Sequence, residues 1–200
     1  MKKFFVALLL LLIVLLIIHV TGGVLSIPKT TDLNLEELKG YCKSHNYNDS
    51  IIILVNFGQH SGQCRMGLYI NNELNLESVC AHGIGKKGKS WLRPSFSNEV
   101  ESNLSCLGKF KLIRERKFSN QYVKNWDGIE LEGLDSTNSN ARKRGILIHK
   151  GYDYPMYPLP ELPVSLGCFV ISSEMYDTLI NILTSTKKPI ILYAYNPKKG

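Results

Sequence analysis

Read for periodicity, the chain divides in two. Residues 4–18 (FFVALLLLLIVLLII) form an unbroken apolar run of 15 residues behind Lys2 and Lys3. Beyond it, short apolar stretches alternate with polar ones rich in glycine and asparagine. Leu35, Leu38, Tyr41 and Cys42 fall at i, i+3, i+6 and i+7, which predicts an amphipathic helix of about three turns. Residues 51–57 (IIILVNF) are β-branched and apolar, the pattern of a buried strand. Residues 67–70 and 74–80 flank Asn71-Asn72 and predict a hairpin. From Ala81 to Ser105 no period is present, and so long an irregular stretch reads as a functional loop. Strand patterns resume at residues 109–113, 129–134, 145–149 and 168–172. Ser172 and Ser173 then offer N-caps to a helix marked by Tyr176, Leu179, Ile180 and Leu183, and residues 189–195 close the chain as a strand. Many short strands with few helices predict a mainly β fold, sandwich or barrel-like, with two or three peripheral helices.

Composition narrows this little. A chain of 200 residues, 44% of them hydrophobic, supports one domain with a full core and excludes wholesale disorder. The reading has three parts: residues 1–26 as a signal peptide or N-terminal membrane anchor, 27–49 as connector and helix, and 50–200 as the domain that carries the chemistry. The basic start, the apolar run and the small residues Thr21, Gly22, Gly23 and Ser26 fit a cleaved secretory leader. Extended through His19 and Val20, the run reaches 17 residues, the short limit for a retained anchor. Either way the domain is exported, and a retained leader ties it to the membrane. The net charge of +7, or +5 without the two leader lysines, is mild. With export and no clustered basic-aromatic stripe, nucleic-acid binding is excluded. Five cysteines in an oxidising compartment leave one unpaired even if the other four bridge. Oligomeric state is not legible.

The sharpest chemistry lies near the C-terminal end. The strand GILIH ends on His149, and Ser165-Leu166-Gly167-Cys168 opens another strand after an irregular, proline-rich interval. A histidine and a cysteine at the ends of neighbouring strands can lie side by side, the imidazole making the thiolate available as a nucleophile. A pair activated in this way predicts that Cys168 titrates below a free thiol's value of about 8.5. Gly167 lets a substrate carbonyl approach, and the backbone N–H groups of Gly167 and Cys168, in the Ser165 loop, are candidates for an oxyanion hole. His82, in Cys80-Ala81-His82-Gly83, has no close-spaced ligand partner, so no metal site is predicted.

His149, fifteen intervening residues and Ser165-x-Gly167-Cys168 resemble the signature of the L,D-transpeptidase (YkuD-like) family. The likeness extends to its murein L,D-transpeptidase catalytic-domain branch through His82-Gly83, Phe96-Ser97-Asn98, Asn138, Asn140-Ala141-Arg142, Arg144 and Ile146-x-Ile148-His149. The resemblance implies a β-rich fold, no cofactor, and acyl transfer on peptidoglycan stem peptides in the bacterial periplasm or cell envelope. It makes Cys168 the nucleophile and His149 the general base. Transfer of the acyl group to an amine makes a crosslink; transfer to water makes an L,D-carboxypeptidase. Departures fall at Leu166, where the wider family often has His or Asn, and at Val170, where it has arginine. Arg142 and Arg144 are the candidates for the missing cation, with His82, Ser97 and Asn98 as further lining of the cleft. The rival is a non-catalytic, membrane-anchored cell-wall-binding protein that retained the fold.

Overall fold

The strand at residues 51–56 shows why this sequence closes on itself. Its apolar residues do not alternate with polar ones, so both of its faces need cover. In the computed structural model, described for residues 6, 8–15, 32–88, 90, 94–119, 124–151 and 165–197, Ile53 and Val55 point into a barrel core. Ile52 and Leu54 point outward, where Leu35 and Leu38 of a helix and Tyr69 cover them. Full burial of an aliphatic side chain stabilises by roughly 1.5–3 kcal/mol, so the two faces together hold this strand at the centre of the domain.

The elements are α1 (Asp32–Ser44), β1 (Ile51–Asn56), β2 (Cys64–Ile70), β3 (Glu73–Ala81), β4 (Gly108–Phe118), β5 (Trp126–Gly133), β6 (Leu147–Lys150), β7 (Phe169–Ile171), α2 (Ser173–Ser185) and β8 (Ile191–Tyr195). The strands form a closed barrel in the order β1-β2-β3-β7-β6-β5-β4-β8, with β8 returning to β1. The β6–β7 and β1–β8 pairs are parallel; the other neighbours run antiparallel. Closure removes the open edges that would invite aggregation. Met175, Tyr176 and Leu179 of α2 join the barrel core, and Ser172 caps that helix by accepting a bond from the Met175 N–H.

The mainly β, barrel-like expectation with peripheral helices holds. β2 and β5 each begin three residues before the sequence reading, at Cys64 and Trp126, and two further differences bear on the site. β4 runs on to Phe118, through Arg114-Glu115-Arg116-Lys117, where a run of four charged residues hides the strand pattern because both faces there reach solvent. β6 begins at Leu147 rather than Gly145, because Gly145 takes a left-handed conformation (φ +67°) that ends a turn. Of the leader, residues 8–15 are helical, and among the described residues no helix is long and apolar enough to cross a membrane. Most of the leader, and the proline-rich interval at 152–164, lie outside the described residues.

Candidate active site on the outer face of the barrel

β6 and β7 position the two candidate catalytic side chains. Their register pairs Ile148 with Phe169 and His149 with Val170. Ile148 and Phe169 face the core, so His149 and Val170 face outward, and Cys168, two residues before Val170, shares that outer face. Cys168 thus sits beside Leu147, diagonal to His149 on the adjacent strand, and its thiol lies 3.7 Å from the Gly145 carbonyl.

The loop before Cys168 is held from two sides. Ser165 Oγ accepts from the Gly167 N–H (3.1 Å) and donates to the Cys168 carbonyl (2.8 Å). Ser105 Oγ donates to the Gly167 carbonyl (3.0 Å) and accepts from the Gly83 N–H (3.0 Å). Gly167 itself has φ +122°, and a Cβ there would lie 2.7 Å from Ile146 Cδ1 and 2.9 Å from the Leu104 carbonyl. Glycine is therefore required by the backbone and by the packing. The Gly167 N–H is spent on Ser165, so it does not face the cleft as an oxyanion donor; the serine's role here is to fix the loop.

The electrostatics differ from an activated ion pair. Burial pushes the Cys168 thiol above its ordinary range, against smaller opposing pulls from the Leu147 backbone and Arg144. Burial holds the His149 imidazole below its ordinary range, partly offset by its bond to the Lys150 carbonyl. The resting pair is a thiol and a neutral imidazole, not the depressed thiolate expected from the Cys–His pattern, because desolvation penalises both charged forms. His149 Nδ1 lies 3.2 Å from the Lys150 carbonyl. A carbonyl only accepts, so Nδ1 carries the proton and Nε2 is left as the basic nitrogen. The ring is braced by Phe118 and Trp126, with centroids at 5.5 Å and 5.9 Å.

Cys168 opens into a cleft of about 430 Å³ whose other lining includes Leu166, Leu147, Phe118, Arg116, Lys143 and Arg144. Of the two arginines expected to supply a cation, Arg144 lines it but is engaged in its wall. Arg144 donates to the Ser97 carbonyl (2.7 Å), to Ser102 Oγ (3.1 Å) and to the Leu104 carbonyl. Arg142 pairs instead with Glu130 at 3.1 Å. Ser97 contributes its carbonyl to Arg144, and Asn98 ties its loop to another through Ser136, Ser139 and Asn140; neither is among the residues lining the cleft. His82 is fully buried, its Nδ1 2.8 Å from a guanidinium nitrogen of Arg65 and its Nε2 3.1 Å from the Ser90 carbonyl. It is sealed from the cleft, and the expectation that it lines the site is corrected. Arg116 and Phe118 lie in the half of β4 that the strand pattern at 109–113 does not reach. No local pattern marks them, since residues 114–117 are all charged and exposed.

None of the five cysteines, all of them described, is bridged. Burial holds Cys42, Cys64 and Cys106 up at about 11 and Cys80 at about 12, so these thiols stay protonated and unreactive at neutral pH.

The model of the L,D-transpeptidase catalytic domain matches residues 28–195. No curated protein sequence matches the chain. Among solved structures, an L,D-transpeptidase from Xylanimonas cellulosilytica is similar at 12% identity and a TM-score of 0.41, covering 78% of this chain and 68% of that one. The helical cell shape determining protein Pgp2 from Campylobacter jejuni is similar at 14% identity and a TM-score of 0.44, over 74% of this chain and 48% of that one; a mutant of Pgp2 gives 13%, 0.47, 75% and 48%. The chain thus spans about half the length of the Campylobacter protein. With the family model matched over most of its length, the chain belongs to the L,D-transpeptidase catalytic domain family.

Proposed function

We propose that the protein is an exported, cysteine-dependent acyltransferase acting on peptidoglycan stem peptides, at the membrane or in the envelope according to whether its leader is retained. The observation that carries this reading is the register of β6 and β7, which sets His149 and Cys168 diagonally on one outer face beside a cleft.

In this reading Cys168 Sγ attacks the carbonyl of the L-centre that precedes a terminal D-alanine. His149 Nε2 takes the thiol proton as the C–S bond forms, and the tetrahedral intermediate collapses by breaking the C–N bond. The same nitrogen returns the proton to the leaving amine of D-alanine, and a thioester remains on Cys168. An acceptor amine, or water, then attacks the thioester and regenerates the thiol. Because the resting pair is neutral, proton transfer accompanies attack rather than preceding it. The Nδ1–H bond to the Lys150 carbonyl keeps the imidazole in the tautomer this needs and steadies the imidazolium that forms.

A non-catalytic wall-binding role is favoured by one feature, the burial that keeps Cys168 protonated. Incubation with disaccharide-tetrapeptide separates the two. The acyltransferase releases D-alanine and yields either a crosslinked dimer or the shortened tripeptide by mass, and the Cys168→Ala variant yields neither. Release of nothing by the unmodified protein, with the peptide still bound, would favour wall binding.

A further inference from the structure

The outer face of β4 to β7 carries two neighbouring rows of residues, and they are built differently. One runs Cys168, Leu147, Glu130, Arg114, following the pairing of Glu130 with Leu147 and the registers on either side. The next runs Val170, His149, Gly128, Arg116. In the first row Arg114 faces a carboxylate and takes it, at 3.5 Å from Glu130. In the second, Arg116 faces Gly128, which offers no side chain. Arg116's neighbours along β4 are also satisfied: Glu115 accepts from the Tyr176 hydroxyl (2.9 Å) and Lys117 pairs with Asp127 (2.5 Å). Arg116 makes no hydrogen bond or ion pair with any described residue. It exerts a longer-range pull on Glu130, which already holds Arg114 and Arg142. Its side chain lines the same cleft as Cys168.

We propose that Arg116 binds the free carboxylate of the donor peptide's terminal residue and so makes the protein selective for peptides that end in an acid. The inference rests on the acyl-transfer reading for the direction in which the peptide lies. A carbonyl at Cys168 puts the leaving amine at His149, and the carboxylate of that leaving residue is one backbone unit further on. Along this row the next positions are Gly128 and Arg116, with Arg116 two strand spacings, about 10 Å, from His149. An extended arginine covers most of that gap, and its planar fork matches a carboxylate bidentately. The cleft's acid, Glu101, is paired with Lys86 at 3.7 Å and leaves Arg116 available.

The test uses the Cys168→Ala protein, which binds without turnover, and two synthetic donor peptides that end in D-alanine as free acid or as carboxamide. Calorimetric titration should show the acid binding about tenfold more tightly, the worth of one charge-assisted pair. Arg116→Gln in that background should bring the acid-to-amide ratio to about one without weakening the amide. Arg116→Lys should restore part of the ratio, while Lys143→Gln, which removes another cation of the same cleft, should leave most of it. Equal binding of acid and amide in the parent, or a ratio that survives Arg116→Gln, would overturn the assignment. If the unmodified protein releases no D-alanine yet the Arg116-dependent ratio is present, the carboxylate site stands and the acyl-transfer reading falls.

Discussion

His149 stands on β6 and His82 directly follows β3, the two strands that flank β7, and the register sends them to opposite sides of the barrel wall. On one side Cys80 pairs with Ile171 and Ala81 with Val170, so continuing that register sets His82 opposite the core residue Phe169. On the other side His149 pairs with Val170, which faces out. A shift of one residue inverts the face on which a strand residue appears. The inward histidine is sealed with Arg65, and desolvation together with that guanidinium drives its pKa down to about 4. The outward one keeps a basic nitrogen beside a cleft. Identical side chains, each close to the β7 segment, thus become a core strut and a candidate base by strand parity alone.

The largest effect expected from this contrast is kinetic. His149→Ala should slow D-alanine release by about 10²–10⁴-fold, the usual worth of a positioned general base, while its melting temperature stays near the parent's. A comparable loss of melting temperature with unchanged release per folded molecule would place His149 with His82 as a strut.

Next in size is the stability cost of the inward histidine. His82→Ala leaves the buried Arg65 guanidinium without its 2.8 Å partner, although its bonds to the Cys80 carbonyl (2.6 Å) and the Gln59 carbonyl (3.1 Å) remain. Urea unfolding should show a loss of about 2–4 kcal/mol, from the unsatisfied group and the cavity together. Release per folded molecule should be little altered. A loss below about 0.5 kcal/mol would mean that the network is not holding the core.

The same histidine gives the fold a pH dependence of defined sign. Its folded pKa is depressed from 6.5 to about 4, so as pH falls the unfolded chain takes up the proton first. Stability is therefore full above about 6.5 and is lost between there and about 4, by up to about 3 kcal/mol at 1.36 kcal/mol per unit. The difference in unfolding free energy between parent and His82→Phe, measured at pH 7 and again at pH 4.5, should shrink by a large part of that amount. A difference that does not change with pH would contradict the buried, neutral state of His82.

Much of this is legible in the periodicity of the chain. The IIILVNF run, the capped helix after Ser172 and the hairpin at Asn71-Asn72 each follow from local pattern, and together they give a β-rich barrel. The placement of His149 and Cys168 at neighbouring strand ends was legible from strand pattern and spacing. Three things were not. Strand parity at His82 depends on pairing with β7, some ninety residues away in sequence, which no local window contains. The second half of β4 was hidden because its charged residues alternate between solvent-facing sides rather than between core and solvent, and Arg116 was lost with it. The ionisation of Cys168 depends on how deeply the loop is packed, and a Cys–His pattern carries no record of burial.

In the proposed reaction Cys168 becomes acylated and His149 moves its proton. Rapid quenching of the protein with a tetrapeptide donor, followed by intact-mass measurement and digestion, tests it directly. The expected adduct equals the donor minus D-alanine, is located on Cys168 and forms at least 100-fold more slowly in His149→Ala. An adduct on another residue, no adduct while D-alanine is released, or equal rates of acylation in the two proteins would contradict it.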